Sequence, residues 1–360
     1  MDYYYYTEDQ RIFDSKIEAL QYSKKTNQTL KFYYYDHIYS SLDWTKEPPQ
    51  SLDYYYLEQA QRIRDNYDRV ILCYSGGYDS TNILETFYYN NIPLDKIIIV
   101  GAFSQDSNSG VDENHNGELY HNSFPYLKEL GLESITEIHD YTKLYNNIDQ
   151  FSVVSYGENW VDNLGSWYSP HNWFWRDLEK HIVPFSWKDY KTAIILGRDK
   201  PTLFWHPQGV QIPLPKGRIK LNSFFFRDTP ISNYGNSMGN ENCERINFYW
   251  DPTYPNILLK QLHVLKRVYE IKLTVGYDYA VNDQTIGGKS VNHIVYNLKR
   301  PLIHKSPKSP NPYLSLRDDY LKTKMNSEVY SFYKYGLDRI NNTVGLESLK
   351  PIQSKFYSLY

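Results

Sequence analysis

The chain has 360 residues, a formal net charge of −3 and a hydrophobic fraction of 41%, enough apolar material for one large core or two moderate ones. Two lone cysteines, Cys73 and Cys243, argue against a disulfide framework, a Cys-x-x-Cys zinc site and a secreted home. No apolar run approaches the ~18 residues that span a bilayer, and Met1 to Tyr6 lacks the basic and apolar regions of a signal peptide, so a soluble cytoplasmic protein without a membrane partner is expected.

Residues 1–50 read as a short α/β segment ending in an exposed connection at Lys46-Glu47-Pro48-Pro49. From Leu52 to Tyr67 the spacing of Leu52, Tyr55, Tyr56, Ala60, Ile63 and Tyr67 predicts an amphipathic helix. It leads into an apolar strand, 69–74, then a turn, Ser75-Gly76-Gly77-Tyr78-Asp79-Ser80, and a helix over 80–90. A second strand over 96–103 is apolar throughout, as a central parallel strand covered on both faces is. A polar loop, 104–117, a helix over 118–131 stopped by Gly131, and a third strand from Ser134 to His139 follow. The alternation predicts an α/β fold with a doubly wound, mostly parallel sheet.

The stretch 140–190 is aromatic and irregular, and Thr192 to Leu196 reads as a fourth core strand. Residues 203–250 carry many turn signals and read as hairpins or insertions rather than more of the sheet. Pro255 to Ile271 shows helical spacing, and the end of the chain holds a Pro-rich connector, 306–312, and one or two helices. The organisation expected is an N-terminal segment, 1–50; a nucleotide-binding domain, 51–202; an insertion and helical substrate region, 203–298; and a basic linker with C-terminal helices, 299–360. The 38 tyrosines occur in runs beside plentiful Lys, Asn and Ile; AT-rich coding accounts for them without a stacking role.

The turn carries the chemistry. Gly76 and Gly77 let backbone approach phosphate oxygens with no Cβ in the way, and the following helix points its N–H groups and positive dipole end at an anion. Ser75 and Ser80 supply hydroxyl donors, and Asp79 a carboxylate for Mg²⁺. The alternative is a simple Ser/Gly/Asp turn or helix cap. A Walker-type loop is absent: Gly287-Gly288-Lys289-Ser290 has Asp283 where the first glycine belongs. Gly197-Arg198-Asp199-Lys200, after the fourth strand, is the second candidate. Arg198 and Lys200 would neutralise a leaving pyrophosphate and Asp199 would share the metal, unless the segment is a charged surface turn. Asp106, Asp112, Glu113, His115, Glu118 and His121 are metal-ligand types without a recognised ligand spacing. Seven Lys and Arg residues between Lys299 and Lys324 would suit nucleic acid, but a solvated tail is the favoured reading.

With the strand before it and the helix after it, Ser75 to Ser80 resembles the signature of the PP-loop superfamily, the N-type ATP pyrophosphatases. The run from Asp65 to Ser80 and on to Asp95-Lys96-Ile97-Ile98-Ile99 resembles the synthetase domain of asparagine synthetase-like proteins, most of all those of tailed phages. Gly117-Glu118-Leu119-Tyr120 through Gly131 has a counterpart in sulfate-nucleotide reductase-like members. The resemblance covers roughly 50–200.

It implies an adenine nucleotide α-hydrolase-like (HUP) fold, with ATP and Mg²⁺ bound at Ser75, Gly76, Gly77, Tyr78, Asp79, Ser80 and Gly197. The adenine would be received near Val100 and Ala102. Asp79, Arg198, Asp199 and Lys200 would serve the chemistry, with Asp79 and Asp199 on the metal. The implied reaction adenylates a carboxylate or amide oxygen of a small-molecule acceptor, releases pyrophosphate and lets an amine displace AMP. For a phage member the location is the host cytoplasm. Position 2 is Asp, so no glutaminase of the N-terminal-cysteine type is expected, and sulfur transfer is disfavoured by the placement of Cys73 and Cys243. Gly197 to Lys200 departs from the asparagine synthetase pattern Gly-x-x-x-Asp-Glu. A base-modifying enzyme and a non-catalytic ATP-binding sensor or assembly protein are the alternatives.

Overall fold

The computed structural model describes residues 3–101, 118–140, 181–197, 242–274, 295–300, 326–345 and 352–359, with residue 302 and short pieces between 204 and 228. The N-terminal unit is a three-stranded antiparallel sheet. Strand β1 (Tyr3–Thr7) lies between β2 (Ile12–Phe13) and β3 (Leu30–Tyr34), with α1 (Lys16–Thr26) packed on it and a short α2 (Asp36–Tyr39) after it. Tyr5, Phe32 and Tyr34 alternate onto the buried face, the period a half-buried strand requires. A Lys16–Asp228 ion pair at 2.7 Å, with no exposed side-chain surface on either residue, ties α1 to a distant stretch of chain. Tyr5 donates to the same carboxylate, and the Ile352 N–H donates to its other oxygen.

Helix α3 (Leu52–Asn66) starts where Ser51 accepts the Tyr54 N–H and buries Leu52, Tyr55, Tyr56, Ala60 and Ile63 of the predicted face, while Tyr67, expected on that face, is the extended residue that ends the helix and is only half-buried. Beyond it stands a five-stranded, wholly parallel sheet: β4 (Arg69–Cys73), β5 (Lys96–Gly101), β6 (Thr136–Asp140), β7 (Thr192–Leu196) and β12 (Cys243–Asn247). The order across the sheet is β12-β7-β4-β5-β6. Chain progress therefore reverses at β4: two strands follow outward on one side and two on the other. Val70, Leu72, Ile97, Ile99, Ala193 and Ile195 face α3 and α4 (Tyr78–Tyr89) in one core, while Ile71, Ile98 and Ile194 on the opposite face are buried as well. Continuous burial on both faces explains the unbroken apolar runs.

The fifth strand corrects the reading of 203–250 as outside the sheet. Cys243–Asn247 runs parallel to β7 with Ile246 opposite Ile195. Only Ile246 is buried, so an edge strand with mixed polarity looks like a turn region in sequence. The rest of that region does form short antiparallel pairs. Strands β9 (Val210–Gln211) and β10 (Lys220–Leu221) pair with each other, and β11 (Ser223–Phe225) pairs with β8 (Phe204–Trp205) and with β13 (Tyr357–Ser358).

The 118–131 helix opens with a π-helical turn, Leu119–Ser123, before α5 (Phe124–Glu129). Gly131, at φ +69°, then stops it as expected. A 3₁₀ turn, Glu133–Ile135, precedes β6, so the third strand starts two residues later than predicted. Helix α6 (Asn256–Thr274) packs on α3, with Lys260 bonded to the Pro48 carbonyl and His263 to the Trp44 carbonyl. Helix α7 (Ser327–Thr343) is capped by the Asn326 side chain. Tyr5, Tyr34, Tyr39, Tyr56, Tyr74, Tyr126 and Tyr249 are among the largest fully buried side chains, so these tyrosines serve the core. Among the described residues no helix is long and apolar enough to cross a membrane.

Candidate functional site

The turn after β4 lies at the carboxyl end of the central strand, where the sheet reverses; open α/β sheets bind ligands at such a crevice. The Tyr74 N–H still pairs with the Ile98 carbonyl (2.8 Å), after which the chain leaves the sheet. Ser75 is exposed, Gly76 turns with φ +76°, and Gly77 caps α4 with no side-chain hydrogen bond of its own. The turn is braced from within. Ser80 Oγ accepts the Ser75 N–H at 3.2 Å and lies 3.1 Å from Ser75 Oγ, and the Gly77 N–H donates to Ser75 Oγ at 3.3 Å. Serine hydroxyls and a left-handed glycine set the shape of the turn, and Asp79 stands in the first turn of the helix that follows it.

The two glycines serve different ends. A Cβ on Gly76 would fall inside contact distance of Ser123 Oγ and 2.8 Å from the Glu118 carbonyl oxygen, so this position is closed by the π-helical turn. A Cβ on Gly77 would meet only Ser75 Oγ at 3.4 Å and Glu118 Oε2 at 3.6 Å, ordinary contacts. Gly197, at the end of β7, comes so close to α4 that a Cβ there would sit 2.9 Å from both Cα and N of Ser80. The expected neighbourhood of the fourth strand and the turn is thus real at Gly197. Val100 lies on β5, beside β4 and two residues past the Tyr74–Ile98 bond, half-buried. Ala102, Arg198, Asp199 and Lys200 lie outside the described residues, as do Asp106, Asp112, Glu113, His115 and the Lys305 to Lys324 part of the basic segment. Of that segment, the Lys299 N–H bonds both oxygens of buried Glu85, and Arg300 pairs with Glu129 at 2.9 Å.

Beneath Asp79 is a set of tyrosines that the sequence does not advertise. Tyr249 donates its hydroxyl to the Asp79 backbone carbonyl at 2.6 Å and accepts from the Asn82 amide at 3.0 Å. The rings of Tyr249 and Tyr296 lie 5.3 Å apart, and Tyr56 packs edge-on against Tyr249. Burial, then the Asp79 charge, raises the phenols of Tyr249 and Tyr296 well above their ordinary value; in Tyr56 burial again dominates. All three phenols therefore stay protonated, with Tyr249 donating to the Asp79 backbone and Tyr56 accepting from the Gln261 amide. Their positions are 170, 217 and 23 residues from Asp79 along the chain (249 − 79, 296 − 79 and 79 − 56), which is why no local pattern reveals them. His139, opposite Val100 on β6, is held below its usual range by burial, against the pull of Glu137 at 2.9 Å.

Among the described residues no three carboxylate, histidine or cysteine side chains gather around a metal position. No family model and no curated protein matches the chain.

Proposed function

We propose that the chain is an ATP pyrophosphatase-type enzyme of the PP-loop kind, with a HUP-like doubly wound fold. It adenylates a carboxylate or amide oxygen of a small-molecule acceptor, releasing pyrophosphate, and an amine then displaces AMP, as in asparagine synthetase-like chemistry. The observation that carries the reading is the placement of Ser75–Ser80. The turn joins the carboxyl end of the central parallel strand to the amino end of α4 at the strand where the winding reverses.

In this reading the α4 amides and the Ser75 and Ser80 hydroxyls hold the β and γ phosphates. Gly197 brings the end of β7 against Ser80, and Arg198 and Lys200, next in the sequence, are the proposed partners of the departing pyrophosphate. Mg²⁺ is usually held by one or two carboxylates together with substrate phosphates; Asp79, in the first turn of α4, is one such carboxylate, and Asp199 is its proposed companion. The metal would supply charge neutralisation on the phosphates. Positioning and electrostatic stabilisation suffice for such a reaction, so no nucleophilic side chain is required. A protein of this kind works with ATP and a dissolved acceptor in the cytoplasm, the host's if it is viral.

The test is product analysis with Mg²⁺, labelled ATP and pooled acceptors. AMP plus pyrophosphate, abolished by Asp79→Ala in a folded protein, supports the reading. ADP plus phosphate sinks it.

A further inference from the structure

The π-helical turn Leu119–Ser123, with Glu118 at its start, lies directly on the phosphate turn, yet it belongs to the crossover between β5 and β6. Such i→i+5 turns occur mostly as single turns inside α-helices, frequently at functional sites. Here Phe124 donates to the Leu119 carbonyl, which rotates Ser123 toward Gly76. Ser123 has no exposed surface, and its Oγ has no hydrogen-bond partner among the described residues. A buried, unpartnered hydroxyl is costly, so its retention beside Gly76 calls for a reason. Glu118 adds a second anomaly. Its carboxylate lies near Gly77, at the cap of a helix whose amino end has no side-chain cap. An acid beside a polyphosphate site repels its ligand unless a cation lies between them.

The geometry points to this turn as the second wall of the site, resting on the phosphate-loop reading above. Ser123 Oγ donates to a phosphate oxygen of a bound pyrophosphate group, and Glu118 shares with Asp79 the divalent cation that accompanies it. Reaching Ser123 requires the Gly76–Gly77 peptide to turn aside, which two residues without Cβ permit. The ligand class is a diphosphate or nucleoside triphosphate carrying a divalent cation.

The experiment is calorimetric titration of the full chain with inorganic pyrophosphate, with and without Mg²⁺, for the unaltered protein, Ser123→Ala and Glu118→Gln, alongside thermal unfolding of each. Ser123→Ala is expected to weaken pyrophosphate binding about tenfold in both conditions and to raise the unfolding midpoint of the ligand-free protein, because it deletes an unpaired buried hydroxyl. Glu118→Gln is expected to weaken binding about tenfold with Mg²⁺ only and to leave it equal or tighter without the metal. Unchanged affinity in Ser123→Ala, or a lowered midpoint, makes Ser123 a packing residue and overturns the inference while the phosphate turn stands. A Glu118→Gln effect that ignores Mg²⁺ overturns it likewise. If the unaltered chain binds no pyrophosphate in either condition, the phosphate-loop reading fails and this inference falls with it.

Discussion

Gly197→Ala probes the join between the sheet and the Ser75–Ser80 turn most directly. The new Cβ would lie 2.9 Å from Ser80 Cα and N and 3.2 Å from Ser80 Cβ, where ordinary contact begins at 3.4 Å. The end of β7 or the first turn of α4 must therefore retreat by about 0.5 Å (3.4 − 2.9 Å). Both are backbone in a close-packed region, so no flexible side chain can give way, and overpacking of this kind costs about 1–3 kcal/mol. The displaced atom group is Ser80, whose hydroxyl braces Ser75, so the turn deforms as well. Pyrophosphate affinity is expected to fall about tenfold, the equivalent of ~1.4 kcal/mol.

Gly131→Ala is the control. Its φ is +69° with nothing within 4 Å of the added Cβ, so it meets only the left-handed backbone cost of about 1–2 kcal/mol and leaves pyrophosphate affinity alone. Urea denaturation and pyrophosphate titration of the two variants separate these effects. A Gly197→Ala protein as stable and as retentive of pyrophosphate as the unaltered chain would refute the close approach and the argument built on it.

Three further outcomes are expected. Tyr249→Phe removes a donor to the Asp79 carbonyl and an acceptor for Asn82, and should lower stability by about 1–3 kcal/mol in urea denaturation, at about 0.5–1.5 kcal/mol per bond; no loss would mean that solvent replaces both. Lys16→Met leaves the Asp228 carboxylate buried without its cation and should cost about 3–5 kcal/mol by the same assay, whereas a neutral result would show that Tyr5 and the Ile352 N–H satisfy it alone. Burial pushes Glu47 up, but its bonds to Arg267 and Lys260 outweigh that and hold it down from 4.5 to about 2. Because the folded value is the lower one, its stabilisation is present above pH 4.5 and lost as pH falls toward 2. Glu47→Gln should accordingly flatten the stability–pH curve in that window by up to about 1 kcal/mol, read from urea midpoints; an unchanged slope would show that the pair contributes nothing.

What the amino-acid sequence determined by itself is the local and strongly patterned part of this protein. Val70 to Leu72, Ile97 to Ile99 and Ala193 to Ile195 are buried on both faces of a parallel sheet, so apolarity alone marks them. Helix α3 follows its 3.6-residue stripe, and the Ser-Gly-Gly turn is legible because a left-handed residue and a helix start demand particular residue types at adjacent positions.

Tertiary structure decided what depends on long-range meeting. Strand β12 joins the sheet through backbone hydrogen bonds to β7; as an edge strand it buries only Ile246, and one apolar side chain leaves no periodic mark. Tyr249 and Tyr296 reach Asp79, and Lys16 reaches Asp228, across spans for which residue type predicts no partner. Ser123 met Gly76 only once a π-helical turn had rotated it there. Backbone patterning is written in neighbours along the chain, whereas a binding site is made of neighbours in space, and loop closure between distant segments leaves no local signature of which side chains will meet.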